Sequence, residues 1–209
     1  MKEQGEEHLE NKKTKETVAT PVLNETKKMT KELYEELQNY RVKKCLTIEK
    51  LHGLYGQPVI SIRVNYPGVY KNNETTRLVN TEIGKTFDDF FHDKILAEES
   101  FDSPEGPTTF YVLRGDARTL KENAVFIEQN HELGRFVDID VYDTDEEYAI
   151  TRFELHHEPR KCFLCDRSAK ECSRNKTHSA EELIAFMEER VNEYLMNKNN
   201  EVKEFQDKL

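Results

Sequence analysis

The segment Phe136–Val137–Asp138–Ile139–Asp140–Val141 alternates apolar and acidic residues, the pattern of a half-buried strand. Successive strand side chains point to opposite faces. Val137, Ile139 and Val141 therefore enter a core, and Asp138 and Asp140 share the other face. Two carboxylates side by side in a cleft repel each other, and a divalent cation with hard oxygen ligands, Mg2+ above all, relieves that repulsion. The arrangement suits phosphoryl and nucleotidyl transfer, in which metal ions bridge carboxylates and substrate phosphates. The plainer alternative is a pair of acids on a solvent-facing strand.

The rest of the chain supplies one domain around that strand. Of 209 residues, 36% are hydrophobic and 34% charged, lean but sufficient for a single core. Residues 1–26 have no sustained apolar face and are expected to be a disordered charged tail. Residues 27–198 form the folded unit, and 199–209 a frayed tail. Helical spacing recurs from Lys27 to His52 and from Glu74 to about Lys94. Strands are expected at Val59–Val64 and Thr108–Gly115, with Asp116 capping the next helix and Gly134 ending it in a left-handed conformation. The stretch Tyr148–Leu155 reads as a hairpin partner of the acidic strand, presenting Glu154 as a third carboxylate. Ser179 and Glu182 match a capping box that opens a terminal helix reaching about Met196. Strands and helices do not alternate strictly, so the fold class is α+β, with a mixed, mainly antiparallel sheet flanked by helices.

Cys162-x2-Cys165-x6-Cys172-x5-His178 is the second motif. Three thiols and an imidazole at this spacing suit a structural, tetrahedral Zn2+. Redox-active or merely buried cysteines are the alternatives, and Cys45 reads as a small core residue. The loop is locally basic, with Arg160, Lys161, Arg167, Lys170, Arg174 and Lys176. In a chain of net charge −10, such an island is where phosphates or an acidic partner would dock. The acidic balance argues against nucleic-acid binding. No apolar signal region or membrane-length run is present, so a cytoplasmic location is expected.

The context of the acidic strand, a helix followed by D-x-D, resembles the core of the DNA-polymerase-beta-like nucleotidyltransferases, although their opening Gly-Ser pair is absent. A longer pattern is more specific. LGRFVDIDVYD, PRKCFLC, AKEC and KTHS, with Asn65, Pro67, Gly68, Lys71, Glu74, Thr76 and Arg77, resemble the apo-citrate lyase phosphoribosyl-dephospho-CoA transferase family over roughly residues 33–194. Glu128 and His131 stand just before the L-G-R element as that family has them. The resemblance implies transfer of a phosphoribosyl-dephospho-CoA group from triphosphoribosyl-dephospho-CoA to a serine of the citrate lyase acyl-carrier (gamma) subunit, with loss of pyrophosphate. Within that reaction Asp138 and Asp140, with Glu154, would hold Mg2+. Lys71, Arg77 and Arg135 would contact phosphate, and His131 or Glu128 would accept the serine proton. A non-enzymatic zinc-binding interaction module and a nucleotidyltransferase with a nucleotide substrate are the competing readings.

Overall fold

A computed structural model describes residues 30–146 and 148–206. The expected tail over residues 1–26 lies outside them. The elements run α1 (Lys31–Tyr55), β1 (Val59–Val64), α2 (Glu74–Phe91), β2 (Ile95–Phe101), β3 (Thr108–Leu113), α3 (Ala117–Asn130), β4 (Val137–Tyr142), α4 (Ala169–Asn175) and α5 (Ala180–Gln206). The sheet order is β2-β3-β1-β4, and every neighbouring pair is antiparallel. The α+β class holds, with a fully antiparallel rather than mixed sheet.

Local chemistry sets the helix ends. Thr30 accepts the Leu33 amide at 3.2 Å to start α1, which stops at Gly56 with φ +58°. Asn73 and Thr76 form a reciprocal capping box on α2, and Asp116 accepts the Thr119 amide at 2.8 Å on α3. The anticipated box on α5 is complete: the Glu182 amide donates to Ser179 Oγ at 3.1 Å, and the Ser179 amide to Glu182 Oε2 at 2.8 Å. Helix α5 then continues to Gln206, through residues expected to form a terminal tail.

The two sheet faces have different fates. Ile60, Ile62, Val64, Val137, Ile139 and Val141 face the main core, where Val79, Ile83 and Phe87 of α2, Leu120 and Ala124 of α3, and Met187 and Val191 of α5 cover them. Each such buried side chain contributes about 1.5–3 kcal/mol relative to exposure. Val59, Phe110 and Val112 on the opposite face are covered by Ile48 and Leu51 of α1. One end of that second face remains for the polar residues of β1 and β4.

Three expectations are corrected and one strand is added. Residues 148–155 are not a strand: Ile150 donates one backbone bond to Val141 at 2.8 Å, and the chain then turns into a 3-10 segment at Phe153–Leu155. Side chains occupy the outer edge of β4 instead. Lys121 Nζ donates to Ile139 O at 2.6 Å, Glu128 accepts the Ile139 amide at 2.8 Å, and Arg160 donates to Val137 O at 2.7 Å. A fifth strand has no ladder left to join. Gly134 lies outside the left-handed region; α3 is capped at His131, and glycine is needed because a Cβ there would sit 2.5 Å from Ile127 O and 2.8 Å from Glu128 O. Cys45 is exposed on α1 rather than buried, because it falls on the helix's solvent side. Strand β2 was not anticipated, its Glu98 and Glu99 masking an edge strand whose odd positions are half-buried.

Helix α5 is tied to α2 through Glu82, which Lys198, Lys85 (2.8 Å) and Tyr194 (3.1 Å) all contact. Burial alone would raise its pKa, but the hydrogen bonds from Lys198, Lys85 and Tyr194 prevail and hold it at about 2. A carboxylate depressed in the folded state contributes stability that is full above its unfolded value and lost as pH falls toward the folded one. Stability should therefore decline between roughly pH 5 and pH 2, and Glu82→Gln should flatten that decline. Denaturant midpoints across this range measure it; parallel curves for the two proteins would remove Glu82 from the account. Among the described residues no helix is long and apolar enough to cross a membrane.

Candidate active site

The register of β1 and β4 places Arg63 opposite Asp138 and Ser61 opposite Asp140. Asp138 and Asp140 share the face away from the main core, their side chains 25% and 35% exposed. Neither stands alone. Arg63 donates to Asp138 Oδ2 at 3.3 Å and to Glu105 Oε2 at 2.8 Å, and Lys71 meets the same Glu105 oxygen at 2.7 Å. Arg160 joins Asp138 to Glu128, Arg152 closes on the other Glu128 oxygen, and Lys44 of α1 approaches Asp140 at 3.5 Å. With Lys121 beside Glu128 at the β4 edge, four carboxylates meet six cations, so the network as a whole carries a local positive excess within a chain of net charge −10. Arg63 Nε is buried with no acceptor, a donor these carboxylates leave unmatched.

The cations explain how two adjacent acids coexist here. Guanidinium and ammonium groups relieve the repulsion that the sequence assigned to a metal. Burial works against Lys44, yet Tyr142 and Asp140 raise its pKa, so it stays charged; burial lowers the Lys121 pKa. Desolvation opposes the charge on Glu105, but the Lys71 hydrogen bond and the nearby cations bring its pKa down. Asp138 and Asp140 are partly exposed oxygen donors on one face, the hard ligand type that Mg2+ takes.

The other sequence candidates divide. Lys71 belongs to the network, and Arg77 stands at the same corner, donating to Asn72 Oδ1 at 2.7 Å and lying 3.7 Å from Asp102. Glu154 is not brought to Asp138 and Asp140; it is exposed, and its carboxylate accepts the Thr151 amide. Arg135 donates to Cys162 O at 2.5 Å and lies over Phe163 and Phe186, so it braces the cysteine loop. Glu128 is 1% exposed and saturated by two arginines and the Ile139 amide, which makes it an anchor for β4 rather than a free base. The His131 ring lies tilted against Tyr194 of α5 with centroids 5.6 Å apart, and its Nδ1 accepts the Leu133 amide at 3.0 Å. Burial lowers its pKa, so the ring is neutral near pH 7 with its proton on Nε2, where it can donate but not accept.

Sequence reasoning did not single out Arg63, Lys44, Glu105, Lys121 or Arg152. Arg63 carried a signal, being the charged residue within the apolar run VISIRV. The others become site residues only through the register.

Below the strand, Cys162, Cys165, Cys172 and His178 converge, with all ligand atoms within 4.8 Å of one another. The His178 hydrogen bond pulls the Cys165 thiol down to about 6, and burial pushes Cys172 up to about 11. A cavity of about 340 Å³ opens beside the cluster, lined by Asn65, Pro67, Gly68, Phe163, Lys176 and Leu183 among others.

Residues 14–194 match the family described as apo-citrate lyase phosphoribosyl-dephospho-CoA transferase. A probable apo-citrate lyase phosphoribosyl-dephospho-CoA transferase of Vibrio cholerae serotype O1 is 33% identical over 149 residues, 69% of this chain and 82% of that protein. An apo-citrate lyase phosphoribosyl-dephospho-CoA transferase of Escherichia coli O7:K1 is 35% identical over 140 residues, 65% of this chain and 75% of the other. The Protein CitXG of Leuconostoc mesenteroides subsp. cremoris is 34% identical over 126 residues; the match covers 59% of this chain and 27% of that longer protein.

Proposed function

The chain belongs to the apo-citrate lyase phosphoribosyl-dephospho-CoA transferase family, and we propose that it transfers the phosphoribosyl-dephospho-CoA group onto the citrate lyase acyl-carrier subunit. The donor is triphosphoribosyl-dephospho-CoA and the acceptor a serine hydroxyl. The serine oxygen bonds to the phosphorus next to the ribose, the bond from that phosphorus to the leaving pyrophosphate breaks, and a phosphodiester results. The observation that carries this reading is the β4 face, where Asp138 and Asp140 lie among Arg63, Arg160, Lys44 and Lys71.

Asp138 and Asp140 would hold Mg2+, which would neutralise charge on the triphosphate. The chain's own residues do the remainder. Arg63, Arg160 and Lys71 can exchange carboxylate oxygens for phosphate oxygens, the arginines bidentately, without moving their backbones. Asp140, whose ion pair with Lys44 is long at 3.5 Å, would take the serine proton by giving up that contact. Arg167, Lys170, Arg174 and Lys176 are exposed and offer an acidic carrier protein a positive docking surface.

Intact mass of the acyl-carrier protein, after incubation with the chain and the donor, tests the proposal. The expected result is a gain equal to one phosphoribosyl-dephospho-CoA group per carrier, with equimolar pyrophosphate and a rate that falls as salt rises. An unchanged mass with a stable carrier complex would favour the interaction-module reading. Modification with a nucleotide donor in its place would favour a general nucleotidyltransferase.

A further inference from the structure

We propose that Cys162, Cys165, Cys172 and His178 bind one Zn2+ in a closed structural site, and that this site holds Arg160 against the acidic strand. The proposal stands independently of the transfer reaction. The four donors come from three short pieces of chain: the turn bearing Cys162 and Cys165, helix α4 bearing Cys172, and His178 just before α5. Cys165 Sγ lies 3.4 Å from both Cys172 Sγ and His178 Nε2. Tetrahedral zinc with ordinary sulfur and nitrogen bond lengths has ligand–ligand edges of about 3.5–3.8 Å, so little movement is required.

The backbone around the turn is already arranged as a knuckle. The Cys162 amide donates to Arg167 O at 2.8 Å, the Ala169 amide to Arg160 O at 2.8 Å, and the Thr177 amide to Cys172 O at 3.0 Å. Phe163 anchors the turn against Phe136 and the main core, but helix α4 has little such support. Helix α4 has seven residues, too few to persist without an anchor, and the buried side chain it supplies is Cys172 itself. A metal staple provides the anchor. In the bound form three thiolates with a neutral imidazole give the site a charge of −1, and whatever thiol protons remain leave to solvent. Arg167, whose side chain hydrogen-bonds Cys165, opposes that charge. Four protein ligands leave no position for substrate, so the ion is structural and not catalytic.

The mechanical consequence follows from the residues flanking the first ligand. Arg160, two positions before Cys162, contacts Asp138 and Glu128 and donates to Val137 O. Arg135 donates to Cys162 O from the other side. Pinning the knuckle therefore fixes the guanidinium that joins Asp138 to Glu128.

The test uses the full chain purified without chelator. About one zinc per chain is expected by elemental analysis, and Co2+ exchange should give the ligand-field bands and thiolate charge transfer of a tetrahedral site. Cys165→Ser should lose the metal, whereas Cys45→Ser should keep it. If Cys165→Ser fails to fold, chelation of the folded wild type gives the same comparison. Amide exchange before and after chelation reads the positioning claim: residues 160–178 and the Ile139 amide should both exchange faster. Metal-free protein with a Cys165–Cys172 disulfide, or with free thiols and unchanged melting, overturns the site. Bound zinc whose removal leaves the Ile139 amide unaffected overturns the positioning role.

Discussion

Glu128→Leu is expected to destabilise the fold by about 3–5 kcal/mol, the cost of removing one partner from a buried ion pair. The carboxylate is 1% exposed and receives Arg152, Arg160 and the Ile139 amide together. Its loss leaves two guanidiniums short of a counter-charge and a strand-edge amide with no acceptor. Glu128→Gln keeps an acceptor for Ile139 and should cost less. Denaturant unfolding of the three proteins measures the series; a loss of under about 1 kcal/mol for Glu128→Leu would mean that the arginines are solvated and the anchor unnecessary.

Asp138→Asn and Asp140→Asn should each reduce transfer by at least ~100-fold, the scale of losing one electrostatic stabiliser of a transition state. Both side chains face away from the main core and are partly exposed, so the fold should tolerate either change. The loss should appear in kcat, with KM for the carrier protein little altered, because the proposed docking contacts lie on the basic loop and only the reacting serine reaches β4. Near-wild-type kcat in both variants would displace the reaction from this strand.

The physical origin of each feature decides how legible it was. Alternation on β4 and the Ser179–Glu182 box are encoded within six residues, and both stand in the structure as read. The hairpin after β4 was misread because what caps that edge is not backbone. Lys121 and Glu128 reach it from a helix, a contact that no period-2 pattern reports. The same limit hid the ion network. Lys44 pairs across 96 residues and Arg63 across 75, and until the register is known each is one charged residue among many. His131 shows a subtler gap: its residue type suits a base, but the Leu133 amide fixes the tautomer that cannot act as one. The cysteine motif, by contrast, is compact in sequence, and its four side chains converge to within 4.8 Å of one another.

The central claim is that Asp138 and Asp140 receive the donor's phosphates through Mg2+, and calorimetric titration of triphosphoribosyl-dephospho-CoA into the chain tests it without turnover. In the absence of carrier protein, wild type should bind the donor more tightly with Mg2+ than without it. The double variant Asp138→Asn/Asp140→Asn should bind equally with and without the ion. The same Mg2+ enhancement in both proteins would place the metal, and with it the phosphates, away from β4.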